Sequence, residues 1–494
     1  MNYSTDKMTE NPQKRHFTDW CSNYISDAVV MIIIASVIGI LCGAAAFGFK
    51  WLISLISGIF MPHIADNSIN WWLIGVPIVG ILLTGILTRY IFHDNPSHGT
   101  AQIINALNRN NYELRPDIIY APVLASSITL GMGGTSGSEG PIAYTGAAIG
   151  SNLGRWLGVK GDDLKALMGC GMCAGIAGIF IAPIGGVLFG LEVVRIKIST
   201  KAVLAVFAAC IASFLTALFL NGYSPDMYFS SLIPTSSVNI LTAALLGIGC
   251  GIYSLYYSGV MGKMDIFFKK IKSPWISNII GGMIIGLCLL LFPSMYCVGY
   301  PIIGDTINGN PEAIIKGCAL QGFIPSEIII MLACVGILLL KCWGVCATNS
   351  SGGVGGDFAP TLFAGCMAGY LFAASCNTWF DTQLPTTLFA FLGMAGVMSG
   401  AIEAPLMSIF IVLEMSRGYE YALPVVIVAV VSYITVQAGK KASHTSIRMI
   451  RHYFWFHGSE GHQLPVSAGT SASGRTSAEA TPETSATATT TSSK

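Results

Sequence analysis

Residues 28–60, AVVMIIIASVIGILCGAAAFGFKWLISLISGIF, form an apolar run broken by a single amine, Lys50. About 20 apolar residues span the hydrocarbon core of a bilayer. This run is longer than one span, so it is expected to cross with a tilt. The rest of the chain shares its character: 53% of residues are hydrophobic and 10% charged, where a soluble domain carries about 25% charged residues. A chain so poor in charge needs a lipid bilayer as part of its solvent. A net charge of +1 gives no basis for binding nucleic acid. The 14 cysteines are scattered through apolar segments, and no CxxC pair sits in a polar loop with a histidine. They read as small buried hydrophobes rather than metal ligands. No cofactor or metal is expected.

Residues 1–26 are polar, lack the apolar core of a signal peptide, and read as a cytoplasmic leader. Further long spans are predicted at 71–92, 202–220, 239–259 and 276–292. Basic residues cluster at Lys7, Lys14 and Arg15, at Arg195, Lys197 and Lys201, and in a predicted loop, 263–274, with Lys263, Lys269, Lys270 and Lys272. Lys440, Lys441, Arg448 and Arg451 follow the last span. The positive-inside rule places these loops and both termini in the cytoplasm. The Ser/Thr-rich tail, 454–494, has no core-forming residues and is expected to be disordered. Two transmembrane halves, 27–222 and 223–453, lie between leader and tail. Within the first, from about 98 to 198, segments such as APVLASSITLGM and PIGGVLFGLEVV are short and interrupted by Gly and Pro. Broken helices at membrane depth are tolerated where they line a cavity or are buried in protein. That is the pattern of a transport protein.

The chain repeats itself. GMCAGIAGIFIAPIGGVLFGLEVVR, 171–195, matches GMAGVMSGAIEAPLMSIFIVLEMSR, 393–417, at a constant offset of 222. Gly171, Ala182, Pro183, Leu191, Glu192 and Arg195 all find themselves again. Upstream, GPIAYTGAAIG, 140–150, aligns with APTLFAGCMAG, 359–369, at an offset of 219, which sets Glu139 opposite Phe358. Composition bias explains shared Gly and Leu, but not Pro, Glu and Arg together. Repeated halves with broken helices place a substrate site at their interface.

Each repeat offers a glycine-rich turn followed by a proline that is expected to open a helix, at the position where its missing N–H would be unpaired anyway. Backbone N–H groups at such a turn, with the partial positive charge of the helix end, make an anion site. GSEGP contributes Gly137, Ser138 and Gly140; GGDFAP contributes Gly356, Asp357, Phe358 and Ala359. Facing one another, the two loops would hold an anion without a fixed cation, and passage requires such weak binding. Helix packing accounts for glycines such as Gly146 and Gly150, but packing does not call for a carboxylate. An intramembrane ionisable group is a functional candidate. Ionised, Glu139 would occupy the anion site; protonated, it would leave. That makes it a gate, and a candidate proton carrier.

These residues resemble the CLC family of chloride channels and chloride/proton exchangers, over nearly the whole chain to about residue 450. GSEGP looks like the family's G-(K/R)-E-G-P motif and GGDFAP like its G-x-F-x-P motif; the two Ala-Pro…Leu-Glu helices match as well. The resemblance implies an all-α fold of two inverted halves and a homodimer with one anion pore per subunit. It implies that Glu139 is the gating, external proton glutamate, and that Phe358 and the backbone near Asp357 line the central anion site. The family's G-S-G-I-P loop corresponds to SHGTA, 97–101, where His98 stands in place of the anion-coordinating serine and Ala101 in place of proline. Ser138 replaces a basic residue. The filter tyrosine has no tyrosine counterpart in KKASHTSIRMI, 440–450, so His444 or Thr445 becomes the candidate inner gate. Exchangers often carry a second glutamate after the Leu-Glu pair; here that place is Val193. Glu192 and Glu414 are expected to cap or pack; Glu403 is either an alternative proton stop or, the better fit, a residue facing a water-filled vestibule.

The reading is transport of chloride, by channel or by proton exchange, across a plasma or inner membrane. Fluoride export is the less fitting branch. A membrane enzyme would need a paired catalytic constellation, and GGDFAP would then have no purpose. A structural or sensor protein would gain nothing from broken helices and a buried glutamate.

Overall fold

The computed structural model describes residues 26–64, 70–92, 102–103, 106, 112–194, 199–223, 229, 239–318 and 326–457, with side chains for all of these but 326 and 443–457. Two units divide after Lys440; the second, from Lys441, holds the helical residues to 457. Among the described residues the first unit is helical, without named strands. Its elements are α1 (Asp27–Phe60), α2 (Trp72–Ile86), α3 (Ala121–Gly131), α4 (Glu139–Trp156), α5 (Gly161–Phe180), α6 (Pro183–Glu192) and α7 (Thr200–Leu220). They continue as α8 (Ile240–Lys269), α9 (Pro274–Leu291), α10 (Tyr300–Ile307), α11 (Ser326–Ser350), α12 (Phe358–Phe380), α13 (Thr386–Ile402) and α14 (Pro405–Ser416). The last, α15 (Ala422–His457), runs on into the second unit. Nine helices among the described residues are long and apolar enough to cross a membrane. With 11 and 10 residues, α3 and α6 are too short to do so.

Local sequence explains the helix ends. Ser199 caps α7 by accepting from Ala202 N–H (3.2 Å), and Asn239 caps α8 by accepting from Leu241 N–H (3.2 Å). Pro183 and Pro405 sit in the first turns of α6 and α14, where a missing N–H costs nothing. One expectation is corrected. The stretch from Lys263 is not loop, because α8 continues to Lys269. Met264 and Phe268 keep the buried face, and Asp265 pairs with Lys269 one turn on (2.5 Å).

The repeat seen in the sequence is a repeat of packing. Helices α4 and α5 touch backbone to backbone where Gly146 meets Gly171; α12 and α13 do the same where Gly365 meets Gly393. Gly150 lies on the Leu167 carbonyl, and Gly369 on that of Phe389. Helices α5 and α13 each end on a left-handed residue, Ile181 (φ 54°) and Glu403 (φ 60°), before the Ala-Pro that opens the next helix. The repeat also reaches further out than the sequence comparison found. Gly39 and Gly43 of α1 pack on Ala209 and Ser213 of α7, as Gly247 and Gly251 of α8 pack on Val428 and Ser432 of α15.

The halves are inverted. Glu192, at the C-terminal end of α6, accepts from the N–H groups of Leu406 (3.1 Å) and Met407 (2.8 Å), at the start of α14. Glu414, at the end of α14, accepts from Ile184 (3.1 Å) and Gly185 (2.8 Å), at the start of α6. Each helix end meets the other's beginning, so the two helices run antiparallel and the exchange is two-fold. Among the described residues Lys341, in α11, is fully buried with no hydrogen-bond partner for Nζ, which lies 4.7 Å from the centroid of the Phe363 ring.

A side chain at Gly171 would collide with the Gly146 carbonyl. Gly171→Val is expected to cost more than about 3 kcal/mol and to abolish the monodisperse peak in size-exclusion chromatography. Gly249→Val, where nothing lies within 4 Å, is expected to keep that peak.

Candidate functional site

The two glycine-rich turns meet within the first unit. Gly137 N–H donates to Gly356 O (2.8 Å) and Gly356 N–H to Gly137 O (2.7 Å), an antiparallel bridge joining the halves. Each turn is folded the same way. Gly134 N–H returns to Thr129 O (2.8 Å), and Gly353 N–H to Thr348 O (3.0 Å). The threonine hydroxyls then cross over: Thr348 Oγ1 accepts from Thr135 N–H (3.3 Å), and Thr129 Oγ1 from Val354 N–H (3.1 Å). Gly133 (φ 94°) and Gly352 (φ 113°) take the left-handed conformations these turns require. Ser136 Oγ lies within donating distance of Gly356 O (2.6 Å) and Asn349 Oδ1 (2.8 Å). Asn349 Nδ2 donates to Asp357 Oδ1 (2.8 Å).

The bridge aims two helix N-termini at one point. Pro141 and Pro360 do not open their helices as expected: α4 begins at Glu139 and α12 at Phe358, each two residues earlier, still within the first turn where a missing N–H is tolerated. Glu139 is 1% exposed. Its Oε1 accepts from Phe358 N–H and from Ala359 N–H (3.1 Å), so the carboxylate sits on the first orphan donors of α12. Among the described residues its Oε2 has no hydrogen-bond partner. A Cβ at Gly356 would stand 2.7 Å from Oε1 and 2.8 Å from Gly140 N, so glycine is needed for the carboxylate to lie here. The Phe358 ring packs edge-on against Phe189 of α6, with centroids 5.7 Å apart. Phe189 escaped the sequence reading; a phenylalanine in an apolar helix gives no sign of its target.

Six predicted residues, Gly137, Ser138, Glu139, Gly356, Phe358 and Ala359, are therefore brought together, with Gly140 and Asp357 beside them. The roles of the glycines differ from those expected. The N–H groups of Gly137 and Gly356 are spent on each other, so neither is left to donate elsewhere. The Phe358 and Ala359 N–H groups are the ones that hold a negative charge. His98 and Ala101 lie outside the described residues, as do the side chains of His444 and Thr445, which fall on the helical part of the second unit.

Ser138 also forms part of the lining of a cavity of about 430 Å³, with Lys50, Tyr296, Cys297 and Lys316 among its other walls. Lys50 and Lys316 are the charged residues among those that line it. The walls of the cavity thus hold two amines and the residue before Glu139. The described cysteines are free, and no cluster of potential metal ligands occurs among the described residues.

The family model for voltage-gated chloride channels matches residues 80–437. The chain belongs to the CLC family. The named members are channels and antiporters, not enzymes. A putative chloride channel protein, ClcB-like, from Ralstonia nicotianae is 25% identical over 423 residues, covering 83% of this chain and 94% of its own. A voltage-gated ClC-type chloride channel, ClcB, from Escherichia coli is 26% identical over 416 residues, 81% of this chain and 94% of that one. In fold, the CLC chain is similar to a slow cyanobacterial Cl−/H+ antiporter, with a TM-score of 0.66 and 23% identity over 83% of this chain and 94% of that one. It is also similar to a CLC-type fluoride/proton antiporter, with a TM-score of 0.61 and 23% identity over 82% and 95% of the two chains. CLC membership and the nine apolar helices make this an integral membrane protein.

The reciprocal caps anchor the helices around this site. Glu414→Ala leaves the Ile184 and Gly185 donors without their acceptor. Because Glu414 is half-buried, the loss is expected to be about 1 kcal/mol. It should appear as a lower melting temperature in detergent, partly recovered by Glu414→Gln.

Proposed function

We propose that this CLC protein carries chloride across the membrane along a path gated by Glu139. The observation that carries the reading is the seat of the Glu139 carboxylate on the N–H groups of Phe358 and Ala359. A carboxylate rests there on helix-end donors, and among the described residues no cation pairs with it. Such a site suits a passing anion, because binding without a fixed charge is weak enough to release. An arriving chloride competes with the carboxylate for the same donors. Protonation weakens Glu139 as an acceptor and frees the site. The unpartnered Oε2 is where a proton would be taken up. The names of the ClcB relatives favour chloride over fluoride.

The other members of the site follow from the same reading. Ser138, Gly140 and Asp357 flank the anion, Gly137 and Gly356 leave it room, and His98 supplies a further donor. His444 and Thr445 stand at the inner gate. The cavity with Lys50 and Lys316 is the outer approach. The cell membrane is the expected location, with both termini cytoplasmic. A homodimer is the expected assembly, and one apolar face fits it. Leu204, Phe207, Ile211 and Leu215 of α7 are exposed, as are Leu423, Val426, Val430 and Ile434 of α15, each 219 residues later. A face repeated in both halves is suited to a two-fold partner. Mass photometry of the detergent-solubilised protein should give twice the chain mass, 52.3 kDa.

Flux from chloride-loaded liposomes, recorded together with external pH, tests the function. Wild-type protein is expected to release chloride. Under exchange, protons move inward as chloride leaves, and Glu139→Gln abolishes the proton movement while chloride still flows. Under channel behaviour, no protons move and Glu139→Gln changes the chloride rate. Absence of chloride flux in the wild type, beside a working control, would sink the proposal.

A further inference from the structure

The cavity beside Ser138 is far roomier than a chloride ion needs. At about 430 Å³ it falls among pockets that bury whole organic molecules, about 300–1,000 Å³. Its walls come from several parts of the chain: the end of α1, the turn at Met61–His63, and residues 293–302. These walls are held in place. The Tyr296 hydroxyl donates to Gly131 O (2.7 Å). Cys297 (φ 59°) and Gly299 (φ 85°), both wall residues, keep left-handed conformations. A Cβ at Gly299 would stand 2.6 Å from the Phe363 ring, and one at Gly317 2.6 Å from the Ile64 side chain, so the packing is close at both places. The chamber is built before any occupant arrives, and filling it costs little ordering.

The chemistry of the walls is two-sided. Much of the lining is apolar, with Ile53, Val298 and Ile302 in it beside the Tyr296 ring. Its charged groups are two amines, Lys50 and Lys316, with no carboxylate among the described residues of the wall. Ser294 lines the cavity too. It is 5% exposed, and its hydroxyl has no hydrogen-bond partner among the described residues. A buried hydroxyl ordinarily finds a partner, so this one is open to a guest. The amines and the hydroxyl suit an anionic group, and the apolar lining suits a hydrophobic body. A bare chloride would use the first and leave the second idle.

We propose that this cavity binds an organic anion, a single carboxylate on a compact apolar body such as a fused pair of aromatic rings, and that its occupant obstructs the chloride path. The two amines draw the carboxylate, the Ser294 hydroxyl can donate to it, and the body packs on the apolar lining. Ser138, next to Glu139, belongs to the wall, so the occupant covers the approach to the gate. The obstruction rests on the transport reading above; the binding does not.

Isothermal calorimetry on the full-length protein in detergent and chloride-free sulfate buffer, read against protein-free micelles, tests the site with naphthoate as the probe. Acetate keeps the charge and lacks the body; naphthamide keeps the body and lacks the charge. Naphthoate is expected to bind roughly tenfold or more tightly than either. Lys316→Gln, at an exposed position, should weaken naphthoate roughly three- to tenfold. Lys263→Gln, in α8 and outside the cavity lining, should bind as the wild type does. Added outside chloride-loaded liposomes, naphthoate should slow wild-type chloride release, and acetate should not. The site is overturned if naphthoate does not bind, if acetate or naphthamide binds as tightly, or if Lys263→Gln weakens binding as much as Lys316→Gln. Naphthoate that binds without slowing a working wild-type flux overturns the obstruction. A wild type that passes no chloride brings down the proposed function, and the calorimetry then decides the site by itself.

Discussion

Two hydrogen bonds, Gly137 to Gly356 and back, hold the centre of this protein together. Each glycine-rich turn would otherwise leave a row of polar backbone in a greasy interior, which is costly. Pairing the turns satisfies part of that row and fixes where α4 and α12 begin. The donors left over, on Phe358 and Ala359, are the ones that hold the Glu139 carboxylate. The candidate site is thus what remains of backbone polarity once the halves have joined.

The same two-fold logic recurs outward. Threonine hydroxyls cross between turns, glutamates cross between α6 and α14, and small residues let α4 lie on α5 as α12 lies on α13. Backbone contact through Gly146 and Gly171 is the kind of packing membrane helices use, since lipid offers no hydrophobic drive between them. Rigidity here has a functional side. Under the proposed gating by Glu139, the carboxylate leaves and returns to donors that must stay where they are.

Much of this was legible in the sequence. The inner repeat could be read because Pro183, Pro405, Glu192 and Glu414 are chemically distinctive and tied to backbone positions that tolerate little else. The outer repeat of α1 and α8 could not, because it shares small residues such as Gly39 and Gly247, and its offset differs from that of the inner one. Glu139 announced itself as a carboxylate in an apolar setting. Phe189 and Lys341 did not: what an aromatic ring faces, or how deep an amine lies, depends on neighbours distant in the chain. The division of labour among the glycine N–H groups was hidden for the same reason. The continuation of α8 past Lys263 was missed because a run of lysines outweighed the spacing of Met264 and Phe268.

The exchanged caps of α6 and α14 bear on how the chain is made. When residue 194 has been synthesised, the Ile184 and Gly185 donors have no acceptor, and Glu192 has nothing to cap, until some 220 residues more have been added. The first half must wait in the membrane with its polar ends unmatched. Two such first halves, from neighbouring chains, present the same ends to one another. Synthesis therefore passes through an interval in which the pairing of α6 with α14 is also open to a stranger.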